Sequence, residues 1–343
     1  MDLGDRKKAI LRVLISDYIQ TAEPVGSRTI SKKPEIGISS ATIRNEMADL
    51  EELGYLEQPH ASAGRVPSDK AYRLYVDELM GIEALSDVDV NNIKNILHLT
   101  AISELEKVIR RTTKLLSQIT KYTSAILSPS AQRCTLKSLQ LIKATQNDIL
   151  AVVVTDTGLI KHVMIKVPKL IPADALIKIN NMLNDKLRNR TIEDINLSVI
   201  SSIQNEMHGY DEIFNSIIPV LYESLSTNDS DVYLEGATNI FKYPEYNDID
   251  KARNFLYLIE QKDIMFDIFS ENSGNISITI GGENKNDEVK NCSIVKASYK
   301  LGNRTLGTVG VIGPTRMDYP RVIATLNCCT QTLNQILKTF NDE

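Results

Sequence analysis

At 343 residues, with 42% apolar and 24% charged side chains, the chain is too long for one ordinary core and has the composition of a packed, water-soluble protein of two or three domains. Its formal net charge of −5 lacks the basic excess that many nucleic-acid binders carry. Apolar runs such as "ILAVVVT" and "GTVGVIG" stop well short of the roughly 18 residues a membrane span needs, and no basic-then-apolar export pattern opens the chain. A cytoplasmic protein with no membrane partner is expected.

Chemistry-bearing motifs are missing. The four cysteines (Cys134, Cys292, Cys328, Cys329) show no CxxC spacing, and the four histidines are far apart, so idle or buried thiols are expected rather than a metal site. No GxxxxGK[ST], GxGxxG, HExxH or GxSxG occurs. Nothing in the residues argues for an enzyme, a cofactor or a bound metal.

The first predicted element is a helix in "DRKKAILRVLISDYIQT", where Ile10, Leu14 and Tyr18, with Val13 alongside, fall at three- and four-residue intervals. Pro24 and Gly26 end it, "SRTISKK" allows about two turns, and "PEIG" makes the next turn. Ser39 or Ser40 then fits an N-cap, Ile43, Met47 and Leu50 repeat on one face, and Gly54 sits where a left-handed C-terminal residue belongs. Helix, short helix, tight turn, helix is the helix-turn-helix order.

In that motif the first turns of the second helix enter the major groove, so their side chains must be small or able to read base edges. Ser39, Ser40, Ala41, Thr42, Arg44 and Asn45 meet the requirement. Arg44 suits a guanine and Asn45 an adenine, while the Ala41 or Thr42 methyl suits thymine. "YLEQ" and "GRVPS" then read as two short strands joined by "PHASA", a hairpin with Gly64 and Arg65 at its tip and His60 and Ser62 as further candidate contacts. That is the wing of a winged helix. One observation opposes DNA binding: residues 1–80 hold eleven Lys and Arg against thirteen Asp and Glu, a net of −2. Backbone affinity per monomer should be modest, and useful affinity should need two copies on a two-fold site. Use of the same motif for protein contacts or packing remains open.

"DKAYRLYVDELM" predicts a helix closing the winged-helix core through Ala71, Tyr72, Tyr75, Val76 and Leu79, and Asp87, Asp89 and two asparagines mark a linker. From Ser103 to Ile126, Leu105, Thr112, Ile119 and Ile126 recur every seven positions, with Val108, Leu115 and Tyr122 as a second row. Such a helix either packs on its own domain's sheet or pairs with its twin in a dimer. Strands follow in "SLQLIKAT", "ILAVVVT" and "LIKHVMIKV", with a "DTG" hairpin signal and His162 expected as a core histidine. Residues 172–226 turn helical after Pro172, then come "VYLEG", a helix in "DIDKARNFLYLIE", strands in "NISITIG" and "CSIVKASYKLGNRTLGTVGVIG", and a last helix with Pro320 at its start. Strands, helices, then strands again is the pattern of an insertion. One sheet is expected from residues before about 168 and after about 270, with the helical block between them as a separate unit.

"SSATIRNEMADLEELGYLEQPH", "ASAGRVPSDKAYRLYVDELM", "ISITIGGEN" and "GTVGVIGPTRMDYPRVIATLN" together resemble the heat-inducible transcription repressor family HrcA along almost the whole chain. Gly282 departs from the serine or glutamate expected there. The resemblance implies a dimeric repressor on an inverted-repeat operator upstream of chaperonin and chaperone genes, kept active by a GroEL-type chaperonin. It also implies an α+β multidomain fold: a winged helix (1–85), a GAF-like α/β domain with a linking long helix (86–168 plus 270–343), and an inserted, mainly helical dimerising domain (169–269). The alternative is a small-molecule-sensing regulator using the GAF-like domain, which a co-purifying ligand would reveal.

Overall fold

The computed structural model describes residues 3–81, 84–101, 105–129, 134–167, 171–191, 194–207, 211–226, 232–270 and 275–342. Helix α1 (Asp5–Thr21) buries Ile10, Leu11, Val13, Leu14 and Ile15. They meet Ile30 of α2 (Ser27–Ser31) and Ile43, Met47 and Leu50 of α3 (Ser40–Glu52). Strands β1 (Leu56–Glu57) and β2 (Val66–Pro67) pair antiparallel, and a Val25–Arg65 bridge adds a third short rung. Helix α4 (Asp69–Leu74) runs into a single π-type turn, Tyr75–Leu79. The helix-turn-helix and the hairpin therefore stand where the sequence puts them.

The expected linker at Asp87 is instead the first turn of α5 (Asp87–Ala101). Its acidic residues suit a helix N-terminus, and Ile93 and Leu97, four apart, are buried in the same cluster as Leu326 and Leu333. Helix α6 (Leu105–Thr120) settles the heptad question for this copy: Leu105, Val108, Ile109, Leu115 and Leu116 are all buried within the chain. The seven-residue stripe also runs past the helix. Tyr122 lies beyond it and Ile126 sits in strand β3 (Thr123–Leu127), so the repeat conceals a change of secondary structure.

Next come β4 (Leu136–Lys143), β5 (Asp148–Thr155), β6 (Ile160–Lys166), α7 (Ala173–Leu187), α8 (Leu197–Glu206) and α9 (Asp211–Ser226). Strand β7 (Val232–Glu235), α10 (Ile249–Glu260), α11 (Lys262–Ser270), β8 (Ser277–Ile280), β9 (Cys292–Leu301), β10 (Arg304–Pro314) and α12 (Tyr319–Asp342) complete the chain. The main sheet has the order β7-β3-β10-β9-β8, antiparallel throughout. Ile126, Val295, Tyr299, Val309 and Val311 pack with α6 and α12 on one face, while Ile294, Ile312 and Leu127 pack with Phe255, Leu258, Met265 and Phe269 of α10 and α11 on the other. The body is thus three layers, helix on sheet on helix.

The expected sheet membership is corrected here. Strands β4, β5 and β6 do not join β8–β10; they form their own antiparallel meander. Ile149, Ala151 and Val153 of β5 lie in one cluster with Ile179, Leu183, Ile203, Phe214 and Ile217 of α7, α8 and α9. Conversely β7, α10 and α11, expected in the inserted block, belong to the main body. The chain leaves the main sheet after Leu127 and re-enters at Val232, and these two residues face each other across β3 and β7. The segment between is a sheet with helices on one side, not a mainly helical block. His162 is exposed on the outer face of β6 rather than in a core. Local hairpin signals find strands, but they carry no information on which non-local sheet a strand completes.

Asn284 pins the loop between β8 and β9. Its Nδ2 donates to the carbonyls of Gly281, Val289 and Cys292 at 2.9, 3.0 and 2.9 Å, and the residue is buried. Replacing Asn284 with alanine should lower unfolding free energy by about 1–3 kcal/mol, because buried carbonyls lose their donor. Urea denaturation midpoints compared with wild type check this.

Candidate nucleic-acid interface

Helix α3 is placed by its buried stripe, and the stripe opposite is what it offers to a partner. Ala41, Arg44, Asn45 and Ala48, spaced three and four apart, are all exposed. Among the described residues Arg44 and Asn45 are tied by no hydrogen bond or ion pair, so both side chains are available to base edges. Ala48 was missed in the sequence reading. The signal for it is its position seven residues after Ala41, which puts it in the same stripe.

The serines and threonine at the start of α3 divide between building and reading. Ser39 is the N-cap: its Oγ accepts the Thr42 N–H at 3.1 Å and shares a 2.9 Å hydrogen bond with Thr42 Oγ1. Ser40 Oγ is 3.0 Å from Ser27 Oγ, partly buried against α2. It holds the two helices together. Ala41 faces solvent beside Arg44.

The wing is built tightly at its base. Val25 N–H donates to Arg65 O and Arg65 N–H to Val25 O, both at 2.9 Å. A Cβ on Gly64 would lie 2.5 Å from the Val25 carbonyl carbon, so only glycine lets the two segments approach this closely. The outer loop is shaped by Gln58, whose Nε2 donates to Ala61 O at 2.9 Å and Ala63 O at 3.2 Å, and it leaves His60 and Ser62 exposed. Arg65 is not at the tip. Its Nε and Nη2 each bind Glu51 Oε2 at 2.8 Å, half-buried between wing and α3. In this structure Arg65 forms a pair that holds the wing to α3.

The acidic count of this region has a structural answer. Glu46 and Asp49 on α3 are bound by Lys7 at 2.8 and 2.9 Å, with Arg6 3.5 Å from Glu46, and Glu51 is bound by Arg65. Hydrogen bonds that the Lys7 ammonium donates to Glu46 and Asp49 raise its pKa. Such surface pairs add little stability, but they match α3's acids with cations of the same domain. Arg28 and Lys32 of the α2 segment and Arg44 are exposed and, among the described residues, hold no ion pair. Lys70 Nζ donates to Leu53 O at 2.8 Å at the carboxyl end of α3 and sits 4.3 Å from the centre of the Tyr55 ring.

Elsewhere, among the described residues, no group of three His, Cys, Asp or Glu is placed to hold a metal ion. No helix of the described residues is long and apolar enough to cross a membrane. None of the four cysteines is in a disulfide, and burial pushes Cys292 up to about 11 and raises Cys329 further.

Comparison with known proteins places a winged helix-turn-helix over the same region. Residues 2–79 match the family model described as "Winged helix-turn-helix transcription repressor, HrcA DNA-binding", and residues 106–323 match "HrcA protein C terminal domain". A protein of Clostridium tetani named "Heat-inducible transcription repressor HrcA" is 49% identical, covering 99% of this chain and 97% of its own. One of the same name from Clostridium acetobutylicum is 46% identical with 100% of both chains covered. A crystal structure titled as a hypothetical protein at 2.2 Å resolution superposes with a TM-score of 0.69 at 23% identity, over 99% of this chain and 100% of that one, which supports the fold alone.

Arg44→Ala and Asn45→Ala should each cost about 1–3 kcal/mol of sequence-specific DNA binding with little loss on scrambled DNA. Both are exposed, so melting temperature should stay put. Ser40→Ala should do the reverse, lowering stability while leaving base preference intact. Gel shifts on selected and scrambled duplexes, paired with thermal melts, separate the two classes.

Proposed function

We propose, since the chain belongs to the HrcA family of heat-inducible transcription repressors, that it acts as a cytoplasmic homodimer on an inverted-repeat operator of chaperone and chaperonin genes. The observation that carries this reading is the exposed α3 stripe, with Arg44 and Asn45 untied and facing outward. Each copy presents one α3 to one arm of the repeat, with Ala41 and Thr42 beside the reading pair and His60 and Ser62 of the wing reaching the flanking backbone. The net of −2 over residues 1–80 makes two linked arms necessary, because a single arm gains little from phosphate neutralisation.

The outer face of the β4–β5–β6 sheet supports the dimer. Ile142, Ile160 and Met164 are exposed there, and Leu150, Val152 and Val154 of the central strand lie half-buried between them. Contiguous apolar surface of this kind on a sheet face suits a second copy. The three-layer body would be the GAF-like domain, with the inserted unit between Leu127 and Val232 as the dimerising one.

Maintenance of the active form by a GroEL-type chaperonin is the regulatory part of the reading. The main sheet supports it: β3 pairs with β7 and with β10, so Ile126 must find both Tyr233 and Val309. Sheets closed over such separations form late and expose apolar strands while they wait. A ligand-sensing reading has one observation in its favour, a cavity of about 670 Å³ where Asp69 of α4 meets Lys251, Asn254 and Lys290 of the body. Mass spectrometry of gently purified protein would show an occupant.

Two outcomes are expected. Ile160→Asp with Met164→Asp should give a folded monomer by sedimentation, with operator affinity down by orders of magnitude. Mild heating of wild type should abolish operator binding, and added chaperonin with ATP should restore it without a small ligand. A metabolite that restores binding where chaperonin does not would favour the ligand-sensing reading.

A further inference from the structure

The winged helix is fastened to the body at its back, away from the α3 stripe. Arg73, on α4, donates from Nε to Glu283 Oε1 at 2.7 Å and from Nη2 to Ile278 O at 2.7 Å, and Nη2 also binds Glu283 Oε2. Glu283 is itself held, accepting the Ile280 N–H at 2.9 Å. One turn earlier on α4, Asp69 Oδ2 accepts the Gly282 N–H at 2.8 Å. The backbone around Gly281 is shaped for this approach: its φ is +53°, and a Cβ there would lie 1.9 Å from Asp69 Oδ2. Asn284 anchors the same loop from below.

Helix α4 is also the piece that holds α3. Lys70, between Asp69 and Arg73, donates to Leu53 O at the carboxyl end of α3. One short helix therefore grips the end of the reading helix and the body together. A second fastening, at the end of α1, opposes rotation: Arg316 Nη1 donates to Ile19 O at 2.5 Å, while its Nε and Nη2 bind Glu245 at 2.5 and 3.1 Å.

We propose that Arg73–Glu283 and Asp69–Gly282 form a latch that sets the angle of α3 to the body, making these side chains positioning residues for reading two half-sites at one fixed spacing. The proposal rests on the dimeric, inverted-repeat reading above. In the reading above, α3 meets bases through Arg44 and Asn45 with Ala41 and Thr42 beside them; the latch touches no DNA. Opening it leaves each arm able to bind while the two arms lose their common geometry, so the linked gain falls.

The probes are duplexes: the inverted repeat that the full-length chain selects from a random pool, the same repeat with its spacer changed by one or two base pairs, and a single arm. Wild type is expected to lose about ten-fold or more in affinity when the spacer changes. Arg73→Met, Glu283→Gln and Gly281→Ala should each bind the single arm within about two-fold of wild type, bind the selected repeat about ten-fold more weakly, and discriminate spacers by less than about three-fold. Unchanged single-arm affinity shows that the winged helix is still folded. Variants that keep the wild-type preference for one spacer would overturn the latch. A wild type indifferent to spacer would instead remove the dimeric reading, and the latch with it.

Discussion

Tyr72 and Tyr319 pack ring on ring, 6.1 Å between centroids, where α4 meets the start of α12. That contact makes the winged helix and the main sheet one hydrophobic core: Ile10, Leu14, Ile43 and Leu50 belong to the same buried cluster as Ile126, Val295, Tyr299, Val309 and Leu326. A DNA-reading domain on a free linker would melt and reorient independently of the rest. Here the two share buried area, so loosening the body loosens the reader. Tyr72 Oη is buried at this junction and, among the described residues, meets no hydrogen-bond partner.

The charges of the winged helix follow the same division between fastening and reading. Most of its cations are spent on carboxylates of the same chain: Lys7 on Glu46 and Asp49, Lys33 on Asp17, Arg65 on Glu51, Arg73 on Glu283. Among the described residues, the exposed cations without an ion pair include Arg12 on α1 and, on the α2–α3 face, Arg28, Lys32 and Arg44. Net charge therefore misdescribes the field that DNA would meet, because paired charges cancel within a few ångströms while the free ones act over about a Debye length. Binding of this kind should fall with salt by a shallow slope, set by few phosphate contacts.

Much of the reading half was legible in the residues. The 3.6-residue spacing of Ile43, Met47 and Leu50, the Ser39 cap and the wing hairpin are local features, and each emerges where the sequence places it. Local signals failed where the answer lay far along the chain. The heptad rows of α6 hid the start of β3, because Ile126 continues the period while serving a sheet completed by Val309. The β4–β6 strands were seen, but their ownership was not, since a strand's alternation says that one face is buried and not by what. Arg65 looked like a wing-tip cation until its partner Glu51, fourteen positions away, came into contact. The fastening by Arg73 and Glu283 crosses 210 positions and has no sequence signature at all.

The inserted unit leaves and rejoins the body through residues that face each other, Leu127 and Val232. To the main sheet it is therefore a loop with closed ends, whatever its contents. The entropy of closing a loop grows only with the logarithm of its length, about 0.6 kcal/mol for each doubling. Apart from the Asp156–Arg304 pair, which ties the unit to β10, lengthening or rebuilding it thus burdens the body hardly more than a long turn would. Surface of the unit away from that pair can drift through evolution at its own pace, without retuning the sheet.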